Sequence, residues 1–119
     1  MPIRIVKGKE TKRDIAEINN RGSSYLLRGM LTEAEVEFKS VIDIDPEYAL
    51  VYNNLGIIYL QQDNINDAIK EFRLAIKYKP DYAEAYNNLG VAYCRKERYT
   101  DSRDAFRKAI EIKPDYLLS

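Results

Sequence analysis

Three pairs of adjacent asparagines are the residues best placed to do chemistry in this chain: Asn19 with Asn20, Asn53 with Asn54, and Asn87 with Asn88, each pair 34 residues after the last. A carboxamide both donates and accepts hydrogen bonds. Amides repeated along one surface can therefore pair with the backbone of an extended peptide, whatever side chains that peptide carries. Asparagine is also a poor helix former, because its amide competes for backbone hydrogen bonds, so its recurrence in segments that read as helix calls for a reason. Two readings stay open. The amides hold a ligand in a groove, or they bond to neighbouring repeats or water as the shared inheritance of one ancestral unit.

Other chemistry has less to stand on. Asp63-Asn64-Ile65-Asn66-Asp67 has the alternation of a calcium loop's opening but lacks its glycine and distal glutamate, and it reads as turn and helix-cap chemistry. The single cysteine, Cys94, has no second thiol to pair with, and a chain without histidine offers it neither a metal co-ligand nor a base. No glycine-rich phosphate loop, zinc spacing or nucleophile elbow is present, so no catalytic residue, metal or cofactor is expected. Nineteen basic residues balance nineteen acidic ones, leaving no net field to draw in nucleic acid or anionic lipid. The basic start, Arg4, Lys7, Lys9, Lys12 and Arg13, is diluted by Glu10 and Asp14 and reads as a solvated tail. No run approaches the ~20 apolar residues of a membrane span, and no signal-like segment opens the chain, which makes the cytoplasm the expected location.

The elements that must position the asparagines follow from the same period. Tyr52-Asn53-Asn54-Leu55-Gly56 returns as Tyr86-Asn87-Asn88-Leu89-Gly90, and the shift that relates them lays Tyr59 on Tyr93, Phe72 on Phe106 and Pro80 on Pro114. Such a period marks one supersecondary unit stacked on copies of itself. Anchoring it on Pro46, Pro80 and Pro114 gives units 15–48, 49–82 and 83–116, after an arm of residues 1–14 and before residues 117–119, which look like the start of an incomplete further helix. Within the second unit, Tyr52, Leu55, Gly56 and Tyr59 recur at i, i+3, i+4 and i+7, and Ile65, Ala68, Phe72, Ala75 and Ile76 form a second stripe. Each unit is thus a pair of helices, antiparallel because the connections are short.

Cap signals place the helix ends. Thr32, Asn66 and Thr100 are expected to cap the second helices, Thr32 through a box with Glu35, while Asp81 with Glu84 caps the next first helix and Thr11 with Asp14 starts the first near Lys12. The second helices must stop before the prolines. Gly22, Gly56 and Gly90 fall inside the contact between paired helices, where only close approach offsets their propensity cost. Tyr25, Tyr59 and Tyr93 occupy equivalent places, as do Tyr48, Tyr82 and Tyr116, which makes these tyrosines core residues.

These residues resemble the tetratricopeptide repeat family, whose 34-residue pattern runs aromatic, Leu-Gly, Tyr, then Ala, Phe, Ala and Pro. The second unit matches at Tyr52, Leu55, Gly56, Tyr59, Ala68, Phe72, Ala75 and Pro80, and the third departs only at Ser102. The first keeps Gly22, Tyr25, Ala34, Phe38 and Pro46 but has Ile18, Arg21 and Val41 where Tyr, Leu and Ala are expected. The resemblance implies an all-α fold, antiparallel helix pairs stacked as a right-handed superhelix, with a concave face that holds a peptide or protein. On that face it places Ala16, Asn19, Asn20, Ser23 and Leu26, then Leu50, Asn53, Asn54, Ile57 and Leu60, then Glu84, Asn87, Asn88, Val91 and Cys94. Some members clamp chaperone C-terminal carboxylates with Lys, Arg and Asn. The matching residues here are Asn19, Ser23, Asn54, Glu84 and Asn88, of which only Asn54 fits, so that clamp is not expected.

Charge is uneven along the array. Eight acids face Arg21, Arg28 and Lys39 between Asp14 and Glu47, whereas Arg95, Lys96, Arg98, Arg103, Arg107, Lys108 and Lys113 make the last part basic. A last helix without a polar cap, together with this polarity, makes head-to-tail self-association the alternative to peptide holding.

Overall fold

Periodic apolar stripes interrupted every half-unit by turn residues produce six α-helices in the computed structural model, which describes residues 12–115. These are α1 (Lys12–Leu27), α2 (Leu31–Ile44), α3 (Ala49–Gln61), α4 (Ile65–Tyr78), α5 (Ala83–Arg95) and α6 (Tyr99–Ile112), and no strand occurs among the described residues. Packing is tightest within the pairs α1/α2, α3/α4 and α5/α6, and successive pairs then meet through α2/α3 and α4/α5. The result is an all-α helical-repeat solenoid, 55 × 26 × 24 Å, elongated because each pair contacts only its neighbours. The expected arm at residues 1–10, the Thr11 cap, Tyr116 and the start of a helix at 117–119 lie outside the described residues.

Helix starts differ from the cap-based expectation. α2, α4 and α6 begin at Leu31, Ile65 and Tyr99, one residue ahead of Thr32, Asn66 and Thr100, and their N-cap residues Met30, Asn64 and Arg98 make no side-chain cap bond. Backbone geometry replaces the caps. Gly29, Asp63 and Glu97 adopt positive φ (76°, 64° and 61°), which folds the amides of Met30, Asn64 and Arg98 back onto the carbonyls of Tyr25, Tyr59 and Tyr93 at 2.8–2.9 Å. The carbonyls of the three N-cap residues then accept from Ala34, Ala68 and Ser102, so each helix starts without a hydroxyl or carboxamide. Glu35 is consequently free of the expected box and pairs with Lys39 and Tyr59 instead. Asp81 does not cap α5 either, because the helix starts after Tyr82, again without a side-chain bond. The other ends follow the sequence: α2, α4 and α6 stop at residues preceding Asp45, Lys79 and Lys113, which are held at φ near −140° by the prolines that follow.

Glycine makes the paired helices close. A Cβ on Gly22 would come within 2.6 Å of the Phe38 ring and one on Gly90 within 2.7 Å of Phe106, while one on Gly56 would collide with Phe72 in the same way. Phe38, Phe72, Leu55, Ile58, Val41 and Val51 are the largest fully buried side chains, so the core centres on the first two pairs and the seam between them. In the third pair Ser102 replaces the buried Ala34 and Ala68, and its hydroxyl donates to the Gly90 carbonyl at 2.7 Å, leaving no unpaired polar group in the seam. Tyrosines largely join this core: Tyr52, Tyr82 and Tyr93 are buried, and the Tyr52 hydroxyl donates to the Pro46 carbonyl. Tyr99 is the exception and stands exposed.

Candidate functional site

Two stripes on α3 have separate tasks. Tyr52 and Gly56 face α4, against Tyr78 and Phe72, and Leu50, Asn54 and Ile57, spaced i, i+4 and i+7, turn to another side. There they line a cleft of about 460 Å³ with Asn19 and Ser23 of α1, Asn53 of α3, and Tyr82, Glu84 and Asn88 at the start of α5. Eight residues expected on the concave face thus share one cleft: Asn19, Ser23, Leu50, Asn53, Asn54, Ile57, Glu84 and Asn88. Asn20, Leu60, Asn87 and Val91 do not line it. Tyr82 is the member that sequence reasoning placed only in the core; it is 6% exposed, and its ring forms part of the cleft wall.

The asparagines bond to one another across repeats. The Asn54 amide donates to Asn19 Oδ1 at 3.3 Å, and the Asn88 amide donates to Asn53 Oδ1 at 3.0 Å. The second asparagine of each pair therefore reaches back to the first asparagine of the preceding pair. Asn53 is 5% exposed, which leaves its amide little contact with a ligand. Asn54 and Asn88 each keep one N–H and the carbonyl oxygen, so a donor and an acceptor per repeat still face the cleft. Bonding between repeats and bonding to a ligand are compatible in one side chain.

Electrostatics narrow the choice further. Glu84, exposed, is the one carboxylate of the cleft, and no lysine or arginine lines it. At the far end of α5, Arg95 is drawn off to the Leu60 carbonyl at 3.1 Å and to Asp63 at 2.7 Å, tying α5 to the end of α3. Between α2 and α3, Lys39 and the Tyr59 hydroxyl hold the Glu35 carboxyl below its usual range, while burial, followed by the bond to Glu35, pushes the Tyr59 hydroxyl up. No described helix is long and apolar enough to cross a membrane.

Comparison with known proteins agrees with this architecture. A tetratricopeptide repeat profile matches residues 53–116, and a TPR repeat profile matches residues 22–63. The chain is similar to the crystal structure of MamA, with 24% identity and a TM-score of 0.78 over 88% of this chain and 61% of that one. It is also similar to the first TPR of Spaghetti (RPAP3) bound to the HSP90 peptide SRMEEVD, with 19% identity and a TM-score of 0.83 over 88% of this chain and 83% of that one. The Arabidopsis OM64 TPR domain matches at 19% identity and a TM-score of 0.81, over 85% of this chain and 84% of that one. At these identities the likeness is one of fold. No curated protein matches the chain in sequence.

Proposed function

The chain belongs to the tetratricopeptide repeat family, and from that premise we propose that it is a non-catalytic interaction module that holds an extended polypeptide segment in its concave cleft. One observation carries the reading: Asn54 and Asn88 keep hydrogen-bonding capacity in the same cleft where Leu50 and Ile57 offer apolar contact and Glu84 a lone negative charge. The amides suit a peptide backbone. Leu50 and Ile57 suit an aliphatic or aromatic side chain, and Glu84 suits a lysine or arginine two or three residues along. The acidic SRMEEVD peptide held by the Spaghetti TPR belongs to a different chemistry, since no base lines this cleft and the nearest, Lys79 and Lys113, line the adjoining hollow beyond Leu50, Tyr82 and Glu84.

End-to-end self-association is the weaker reading. Inner repeats stack through Val51, Leu55 and Ile58 of α3, whereas α1 offers Glu17, Arg21 and Ser24 in the matching places, all exposed. Peptide display against the wild-type chain, followed by calorimetry of the selected sequences, tests the cleft. Selected peptides should pair an apolar residue with a basic one. Glu84→Lys should weaken them roughly tenfold or more, and Asn54→Ala combined with Asn88→Ala should do likewise. Affinity untouched by both changes refutes the proposal.

A further inference from the structure

The make-up of the concave cleft defines a segment, and this chain carries one. Leu50 and Ile57 offer apolar contact, Asn54 and Asn88 keep a donor and an acceptor for extended backbone, and Glu84 adds a carboxylate with no base among the residues lining the cleft. Residues 1–11, which lie outside the described part of the structure, read Met-Pro-Ile-Arg-Ile-Val-Lys-Gly-Lys-Glu-Thr. Ile3, Ile5 and Val6 are β-branched, a side-chain type that favours extended backbone over helix. Held extended, such a segment turns alternate side chains to one side, so Arg4 and Val6 share a face. A base two residues from an aliphatic side chain is the pairing that Glu84, Leu50 and Ile57 select.

The segment is also long enough to arrive. Short turns make consecutive helices antiparallel, so α1, α3 and α5 run the same way and begin at one edge of the array. Leu50 and Glu84 lie in the first turns of α3 and α5 at that edge, where α1 begins at Lys12. Crossing from α1 over α3 to α5 takes two steps of about 10 Å each, the usual spacing of packed helices. Val6 stands six residues before Lys12 and Arg4 eight, which an extended chain stretches to about 20 Å and about 27 Å. Val6 therefore reaches α3 and Arg4 reaches α5, in the order in which the cleft presents Leu50 and then Glu84.

We propose that the resident ligand of the concave cleft is this chain's own segment, residues 3–7, with Val6 against Leu50 and Ile57, Arg4 at Glu84 and the backbone on the amides of Asn54 and Asn88. The assignment rests on the peptide-holding role of the cleft and adds a competitor to it. Charge selects this segment over residues 116–119, Tyr-Leu-Leu-Ser, which bring no base to Glu84. Tethering selects it over a free peptide of equal fit, because a short linker holds a segment at an effective concentration in the millimolar range. A partner protein must then displace the arm, so it binds only when its own segment fits the cleft better than Arg4 and Val6 do. The basic start of the chain acts in this way as a threshold on binding, where its composition alone reads as a solvated tail.

A fluorescent peptide copying residues 2–9 tests the assignment by anisotropy. It should bind a chain shortened to begin at Glu10, and should bind the full chain roughly tenfold more weakly or worse, because the tethered copy competes. The full-length double variant Arg4→Glu with Val6→Asp should bind the peptide as tightly as the shortened chain does, which repeats the comparison with no residue removed. Glu84→Lys in the shortened chain should weaken the peptide roughly tenfold and favour a peptide carrying Arg4→Glu. Equal affinity of the full and shortened chains, or a preference that survives Glu84→Lys, overturns the proposal. So does a full-chain dimer in sedimentation that the double variant dissociates, because the segment would then enter the cleft of a second copy. Display-selected peptides separate this failure from failure of the cleft itself. If they bind full and shortened chains alike and lose affinity with Asn54→Ala and Asn88→Ala, the cleft stands and the resident arm falls; if no peptide binds either chain, both fall.

Discussion

A glycine and a phenylalanine ring set the spacing of each helix pair, and the three copies of that contact do not have equal freedom. Phe72 is fully buried and cannot yield to a methyl group on Gly56, whereas Phe106 borders the open groove of α6 and can turn into it. Gly56→Ala should therefore cost roughly 1–3 kcal/mol of overpacking, less about 1 kcal/mol regained in helix propensity. Gly90→Ala should be close to neutral. Denaturant melts of the two variants check the contrast, and equal costs would mean that Phe106 is held as rigidly as Phe72. A second residue-scale expectation concerns pH. Lys39, then Tyr59, hold the Glu35 carboxyl below its ordinary 4.5, so the stability it adds is complete above that value and is lost as pH falls through the lower, folded value. Burial raises Glu71, which works the other way: its folded carboxylate is a liability at neutral pH that protonation relieves. Melting temperatures from pH 7 to pH 3 should fall less for Glu35→Gln than for wild type, and Glu71→Gln should be the more stable variant at pH 7. At this scale the glycines and aromatics were legible because their spacing repeats. The partner of each asparagine was not, since a side chain that can reach a ligand or a neighbouring repeat looks the same in either role.

Helices follow from the sequence more faithfully than their ends do. Stripes such as Tyr52, Leu55 and Tyr59 have no other way to be buried, but Thr32, Asn66 and Thr100 suggested caps that a backbone turn makes unnecessary. Only Gly29 carries the residue type that such a turn favours. Asp63 and Glu97 occupy the same left-handed conformation without it, so residue type does not mark the turn at those two positions. The strain has a measurable consequence. Glu97 is exposed and forms no ion pair among the described residues, so Glu97→Gly should stabilise the chain by roughly 0.5–1 kcal/mol as the left-handed penalty is removed. Asp63→Gly should gain less, because it also removes the carboxylate that Arg95 grips at 2.7 Å. Chemical denaturation of both variants decides the matter. A destabilised Glu97→Gly would show that the side chain contributes more than its backbone costs.

Stacked repeats share stability only with their neighbours, so a difference in coverage along the solenoid becomes a difference in local opening. α3 is covered by α4 on one side and by α2 on the other, and its Val51, Leu55 and Ile58 are at most 2% exposed. Among the described residues α6 packs chiefly against α5, and Tyr99 and Ile110 are exposed. The period showed that the units stack, and the family resemblance pointed to the concave side. Neither reveals that α1 turns polar residues outward where α3 turns apolar ones inward, because that depends on comparing Glu17, Arg21 and Ser24 with Val51, Leu55 and Ile58 in a common register. Hydrogen exchange should therefore be graded, with amides of α3 and α4 exchanging near the global unfolding limit and those of α6 exchanging through cheaper local opening. Native-state exchange at increasing denaturant measures this directly. Protection of α6 equal to that of α3 would mean that the third pair unfolds only with the whole array, and the uncovered face would then cost the fold nothing.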